Sequence, residues 1–172
     1  MHNIPAHLEY HLKTILYYTE DAYIGGSIED YFLLGSSDNV INDVDVFTYD
    51  HKDLERLLEY YGEQLEVVKN KKRAALIGDV SHLYKFKDVD IHYIESSTYP
   101  HEFMTTRYKD MVITHHTLES KKGIARIESE WFLKNNIDAI KVAFQPLIEL
   151  FNRYREIYAN FLSQISGGQS IM

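Results

Sequence analysis

The sequence predicts an α/β (α+β) fold in which a mixed β-sheet is flanked by helices and followed by a helical C-terminal extension. Short strand-like and helix-like segments alternate over the first two-thirds of the chain, whereas the pattern from Leu118 onward is helical. The 172 residues are 45% hydrophobic and 26% charged, as in a globular domain with a core. We expect a core over residues 1–116, a helical extension packed on it over residues 117–165 and a flexible tail over residues 166–172.

Glycine and proline mark helix ends in the first third of the chain. Pro5 suits the first turn of a helix, because its fixed φ is already helical. Gly35 ends the helix that begins at Ile28, since glycine readily takes the left-handed conformation at a helix C-terminus. The elements predicted here are, in order, a helix over residues 5–20, a strand over 22–24, a helix over 28–34, a strand over 44–48 and a helix over 51–61.

The middle of the chain is rich in short apolar runs, and the end has a helical period. Strands are predicted over residues 65–68, 74–77, 84–86 and 89–94, and residues 109–115 fit either a last strand or the approach to a helix. From Ile140 to Phe161, apolar residues recur at alternating spacings of three and four, which is typical of a helix. Pro146 should kink this helix or start a second one.

Composition limits the classes of protein that the chain can represent. The absence of cysteine excludes disulfides and thiolate zinc sites, and it favours a reducing compartment. No signal-peptide pattern and no apolar run long enough to cross a bilayer occur, so we expect a cytoplasmic protein without membrane contact. Residues 1–60 carry 12 acids and 3 bases within a net charge of -8, which disfavours broad nucleic-acid binding and suits a metal site.

Asp43 and Asp45 stand two residues apart at the predicted strand over residues 44–48. Residues two apart project from the same face of a strand, so the two carboxylates should lie side by side while Val44 and Val46 turn to the core. Adjacent carboxylates repel each other, and Mg²⁺ (or Mn²⁺) relieves that repulsion by binding both. The alternative is an exposed strand end with two solvated acids.

The turn Gly25-Gly26-Ser27 lies between a predicted strand and a predicted helix. Glycines allow close backbone approach, and free amides at the start of the following helix can bind a phosphate together with the Ser27 hydroxyl. A simple turn is the alternative. The order of glycine turn, helix and paired aspartates favours a site for a phosphorylated substrate.

Asp88 and Asp90 form a second acidic pair in a strand-like run. Two-metal phosphoryl chemistry often uses a third carboxylate, which binds an ion or takes a proton from the attacking hydroxyl. We choose Asp90 because it is central in the strand, and an exposed strand face is the alternative. His92 shares a strand face with Asp90, but it and His115-His116 lack a metal-ligand spacing and are predicted to be ordinary surface or hydrogen-bonded histidines.

Lys122 and Arg126 share one face of the helix that follows Thr117. Like charges at this spacing cost about 0.2–0.5 kcal/mol in an isolated helix, and a bound triphosphate could offset that cost. They are therefore candidates for nucleotide binding. A solvated basic face is the alternative.

The segment GGSIEDYFLLGSSDNVINDVDVFT, residues 25–48, resembles the head signature of the nucleotidyltransferase superfamily related to DNA polymerase β. It is most similar to the branch of CCA-adding tRNA nucleotidyltransferases and bacterial poly(A) polymerases. That branch has Gly-Gly, a small residue, an aliphatic residue, Arg-Asp, Leu-Leu-Gly, a spacer, Asp-x-Asp and a nearby Thr. The matching residues here are Gly25, Gly26, Ser27, Ile28, Asp30, Leu33, Leu34, Gly35, Asp43, Asp45 and Thr48.

This resemblance implies a minimal nucleotidyltransferase fold and a role for each of its site residues. Asp43 and Asp45 would be catalytic metal ligands, Gly26 and Ser27 would contact the phosphates of the nucleotide, and Asp90 would fall on the strand of the third carboxylate. The chain departs from the branch at Glu29, where the branch has arginine, and in a longer spacer before Asp43. It also lacks room for tRNA-gripping domains, so we expect a stand-alone domain rather than a complete CCA-adding enzyme.

The function expected from the resemblance is metal-dependent transfer of a nucleoside monophosphate from an NTP to an acceptor hydroxyl, with release of pyrophosphate. The cofactor would be Mg²⁺ or Mn²⁺. An RNA 3′ end, a protein side chain and a small molecule are all open as acceptors. Glu29 motivates an alternative, a nucleotide-binding regulatory module with weak or no catalysis. The C-terminal helix offers a face for a homodimer or a partner protein.

Overall fold

The computed structural model describes residues 3–37, 40–63, 66–69 and 72–168, and these form a mixed α/β protein. The chain divides into two compact units, Met1–Ser129 and Glu130–Met172. The helices are α1 (Ala6–Tyr18), α2 (Gly26–Leu34), α3 (His51–Tyr61), α4 (Lys72–Leu76) and α5 (Leu118–Gly168). The strands are β1 (Ala22–Gly25), β2 (Val44–Thr48), β3 (Glu66–Lys69), β4 (Asp79–Lys85), β5 (Val89–Ser97), β6 (Phe103–Tyr108) and β7 (Met111–His116).

The predicted mixed sheet is confirmed. Five strands lie in the order β1-β2-β5-β4-β3, and β6 and β7 form a separate antiparallel pair. In the main sheet β2 and β5 run parallel, whereas the other neighbours are antiparallel. The parallel pair joins the strand that carries Asp45 directly to the strand that carries Asp90.

The two faces of the main sheet have opposite characters, because successive residues of a strand project from opposite faces. Val44 and Val46 of β2 and Val89 and Ile91 of β5 are fully buried and belong to the hydrophobic core. Leu8, Leu12, Ile15, Ile28, Leu54 and Leu57 supply the helical side of that core. Each such side chain contributes roughly 1.5–3 kcal/mol when buried, so the core holds the sheet in place and leaves its other face available for chemistry.

Local signals account for the helix ends that position the site. Gly35 follows α2 with φ 77°, in the left-handed conformation expected of a glycine cap. Asp50 caps α3 by accepting a hydrogen bond of 2.8 Å from the backbone amide of Lys52. The predicted bounds of β2 and α3 are confirmed without change.

Several element predictions need correction. The strand predicted over residues 74–77 is wrong, because residues 72–76 form α4, whose Lys, Arg, Ala and Leu are strong helix formers. The strand β6 was not predicted. Residues 109–115 were predicted to be either a last strand or the approach to a helix, and the structure shows the strand β7 over residues 111–116. Leu65 of the predicted strand over 65–68 lies outside the described residues, and β3 begins at Glu66.

The C-terminal helix α5 is continuous from Leu118 to Gly168. Pro146 lies inside it, so of the two predicted alternatives the start of a second helix is wrong, and the kink stays a prediction. Of the predicted tail, residues 166–168 are helical and residues 169–172 lie outside the described residues. The packing of residues 117–165 on the core stays a prediction. Within the part of the chain that the structure describes, no helix is both long and apolar enough to cross a membrane.

Candidate metal and nucleotide site

Two rows of side chains cross the face of the main sheet that is opposite the core. The first row consists of direct partners across β1, β2, β5 and β4, namely Gly25, Asp45, Asp90 and Lys85. The second row consists of direct partners across the same strands, namely Tyr23, Phe47, His92 and Leu83. Because members of the two rows stand two residues apart in each strand, both rows project from one face.

The strand register brings Asp45, Asp90 and His92 into one cluster. One ligand atom from each residue lies within 4.8 Å of the others, as a shared metal ion would require. The closest pair is His92 Nε2 and Asp45 Oδ1, which are 2.9 Å apart. The His92 ring is almost fully buried and stacks on Phe47 with ring centroids 4.0 Å apart, which fixes its orientation.

The carboxylates of this cluster lie close enough to repel one another. Burial raises the pKa of Asp90, and the negative charges of Asp45 and Asp43 raise it further. Lys85, with Nζ 3.8 Å from Asp90 Oδ2, and His92 oppose that shift without cancelling it. Two or three carboxylates with this charge balance, together with one imidazole nitrogen, are a donor set that fits a divalent cation.

Gly26 is required where α2 begins beside Asp45. Its φ of +65° is in the region that favours glycine, and a Cβ atom at this position would collide with Asp45 Oδ2. A Cβ atom on Gly25 would in turn meet the ring of Phe47. The glycines therefore let the N-terminus of α2, with its partial positive charge, approach the Asp45 carboxylate.

The structure places Asp43 differently from its partner in the predicted pair. Asp43 is half-buried and precedes β2, which begins at Val44. It is not a member of the three-residue cluster, in which His92 appears instead. Its charge nevertheless raises the pKa of Asp90, so it acts on the same site. The role of Asp43 as a metal ligand stays a prediction.

The cluster opens into a cavity of about 180 Å³ within the first unit. Gly26, Asp45 and His92 line one part of its wall. The other part contains a second polar group, which the sequence did not indicate. Its members are Glu29, Asp79, His101, His116 and Lys121.

The members of this second group form a continuous chain of hydrogen bonds that ends in an ion pair. His101 Nε2 lies 3.1 Å from Asp79 Oδ2, and His101 Nδ1 lies 2.8 Å from His116 Nε2. His116 Nδ1 lies 3.0 Å from Glu29 Oε2, which also accepts a bond of 2.7 Å from the His116 backbone amide. Lys121 Nζ then pairs with Glu29 Oε1 at 2.9 Å. Glu29, Asp79 and His116 are buried and the His101 side chain is 5% exposed, so water has little access to these links, whereas Lys121 is 30% exposed.

The hydrogen bonds of the chain constrain its two histidines. With both carboxylates ionised, His101 donates from Nε2 and His116 donates from Nδ1. The bond between the two rings requires a proton on one of the two facing nitrogens. Although burial by itself would raise it, the bonds and charges of His116 and Lys121 hold the pKa of Glu29 below its ordinary value. The group is thus compensated internally.

The remaining predicted nucleotide-binding residues lie apart from the cavity wall. Ser27 is the second residue of α2 and is half-buried. Lys122 and Arg126 are exposed, and Lys122 Nζ lies 3.8 Å from Glu119 Oε1. The cations that line the cavity are Lys121 and Arg73. Nucleotide binding by Ser27, Lys122 and Arg126 stays a prediction.

Sequence reasoning missed most of the second group. His115 and His116 were predicted to be surface or hydrogen-bonded histidines, and both are buried and hydrogen-bonded. His92 was distinguished by the strand face that it shares with Asp90, which was the available signal for its place in the cluster. Glu29 was noted only because it stands where the branch that residues 25–48 resemble has arginine, and the structure shows that it is fully buried.

Comparisons of the chain with protein-family models, with curated proteins and with solved structures found no match.

Proposed function

We propose that this protein is a metal-dependent nucleotidyltransferase, which moves a nucleoside monophosphate from an NTP to an acceptor hydroxyl. The observation that carries the proposal is the pairing of Asp45 with Asp90 across the parallel strands β2 and β5. The start of α2 at Gly26, held against Asp45, supports it because that helix end can bind phosphate beside the carboxylates.

Each residue has a defined task in this proposal. Asp45 and Asp90, with Asp43 and His92 beside them, would hold the Mg²⁺ or Mn²⁺ ions. The bound metal supplies charge neutralisation for the triphosphate. The amides at Gly26 and Ser27 would bind and orient the phosphates. Asp90, whose pKa is raised, would accept the proton of the acceptor hydroxyl.

The proposed reaction balances without a further reactant. The acceptor oxygen forms a bond to the α-phosphorus, and the bond from that phosphorus to the bridging oxygen breaks. Pyrophosphate leaves, and the hydroxyl proton goes to a carboxylate. The absence of cysteine favours a reducing, cytoplasmic setting, and an RNA 3′ end, a protein side chain and a small molecule remain open as acceptors.

The test is pyrophosphate release from each of the four NTPs with Mg²⁺ or Mn²⁺, in the presence of a cell extract that supplies acceptors. We expect Asp45→Asn to lower release by about 10³-fold, roughly 4 kcal/mol, because metal and phosphate contacts are lost together. Asp110→Asn is the matched control, since Asp110 is 74% exposed and lies 3.7 Å from Lys13 Nζ. Full activity in Asp45→Asn would overturn the mechanism. NTP binding without release would favour the regulatory module.

A further inference from the structure

The second unit, Glu130–Met172, carries a seven-residue repeat along α5. Every a and d position of this repeat is apolar over nearly five heptads. In order, these residues are Leu133, Ile137, Ile140, Phe144, Leu147, Phe151, Tyr154, Tyr158, Phe161 and Ile165. A strict seven-residue repeat of this length is the pattern of a coiled coil rather than of a helix lying on a globular core, whose period is 3.6.

The repeat faces solvent in the single chain. Ile140 is half-buried, and the other nine a and d side chains are 38–64% exposed. Pro146 falls at a c position, outside the seam, where it does not interrupt the repeat. Such a large exposed apolar stripe marks an interaction surface.

We propose that α5 pairs through this seam with α5 of a second copy of the chain, as a parallel two-stranded coiled coil. The available area is sufficient for a second copy. Five of the seam residues are aromatic and are 55–64% exposed, so they alone offer roughly 500 Å² per copy. Together with the five aliphatic residues, the seam approaches the roughly 800 Å² per partner of a standard interface.

Charges beside the seam select the parallel orientation. The charged e positions are all basic, namely Lys134, Lys141 and Arg155. An antiparallel pair in full overlap would place Lys141 opposite Arg155 of the other copy, twice. In the parallel pair the neighbours of Lys141 and Arg155 are Asn136 and Leu150, and no like charges meet. Ile157 then meets Leu162, which extends the apolar seam.

The test measures the mass of the full chain by light scattering during size-exclusion chromatography. We expect twice the chain mass of 20.2 kDa. Phe151→Lys should return the mass to that of one copy, because it places charge in the seam. Val142→Lys, at an f position where the side chain is 75% exposed, should leave the dimer intact.

The relative orientation of the two α5 helices is tested with an introduced cysteine. The native chain has no cysteine, so no other thiol can form a disulfide. Ile137→Cys should form a disulfide-linked dimer under mild oxidation, and Val142→Cys should not. In an antiparallel pair the two Cys side chains at position 137 would be roughly 35 Å apart and could not join.

Three outcomes would overturn the inference. A single-copy mass for the native chain would mean that α5 is covered by another protein or by its own core. A mass of three or more copies would exclude the two-stranded form. A dimer that survives Phe151→Lys with its helix content intact would exclude this seam as the interface. A dimer that fails to cross-link through Ile137→Cys would exclude the parallel orientation.

Discussion

Asp45 of one acidic cluster and Glu29 of another line the same cavity, and the two clusters differ in how the folded chain shifts the pKa of a buried acid. In the first cluster Asp45 and Asp90 are neighbours on parallel strands, and the pKa of Asp90 is raised by burial and by the other carboxylates. In the second, Glu29 is fully buried, yet His116 and Lys121 hold its pKa below the ordinary value. Burial of an acid is therefore no sign of function by itself. The informative feature is an acid such as Asp90, whose pKa is raised by burial and by neighbouring carboxylates.

The largest expected effect on stability comes from breaking the compensated cluster. Glu29→Gln should lower the free energy of unfolding by about 3 kcal/mol, because it leaves the Lys121 cation and the buried His116 without their carboxylate partner. Urea unfolding measures the change. Glu119→Gln is the matched control, since Glu119 is 81% exposed and its partner is the adjacent Lys122. We expect a loss below about 1 kcal/mol there. Equal losses in both variants would contradict the comparison.

A divalent cation should stabilise the first cluster. At a concentration of 100 times the dissociation constant, a cation that binds only the folded chain adds about 2.7 kcal/mol. For a chain of this length, that corresponds to a rise in the thermal midpoint of roughly 5–10 °C. Differential scanning fluorimetry with Mn²⁺, Mg²⁺ or a chelator measures it. Asp45→Asn should abolish the rise, and Glu119→Gln should preserve it. An unchanged midpoint in the native chain would exclude the metal site.

Relief of the burial and repulsion that act on Asp90 should have a smaller effect of opposite sign. Without metal at pH 7, Asp90→Asn should raise the free energy of unfolding by roughly 0.5–2 kcal/mol, as removal of functional strain commonly does. Transfer activity should be lost at the same time. Asp88→Asn is the control, because Asp88 is more exposed and lies 3.7 Å from His11 Nε2. It should change stability by less than about 0.5 kcal/mol. Destabilisation by Asp90→Asn would show that Asp90 is a structural acid.

The same comparison explains what the sequence could predict. Asp45 and Asp90 stand in strands that the local alternation of apolar and polar residues predicts, and Gly26 indicates a turn because it is a glycine. The sequence did not predict that the two aspartates pair, because the pairing depends on the chain crossover that makes β2 and β5 parallel neighbours. The second cluster has no local signal, because its members come from five places in the chain, namely α2, β4, the loop before β6, the strand β7 and the helix α5. Glu29 and His116 are 87 residues apart, and only the tertiary fold brings them together.

The smallest expected effect is the pH dependence of these two clusters. The pKa of Asp90 is higher in the folded chain than in the unfolded one, so its contribution favours folding at low pH and is lost as the pH rises through the raised value. The pKa of Glu29 is lower in the folded chain, so its contribution is present at neutral pH and is lost as the pH falls through the lowered value. In metal-free buffer, the stabilisation by Asp90→Asn should therefore vanish below about pH 4 and grow with pH to at most about 2 kcal/mol. The cost of Glu29→Gln should instead shrink as the pH falls. Urea unfolding of the native chain and both variants across pH 3–8 measures how each substitution changes the free energy of unfolding. If that change had the same sign and the same pH dependence in both variants, the two clusters would not differ as stated.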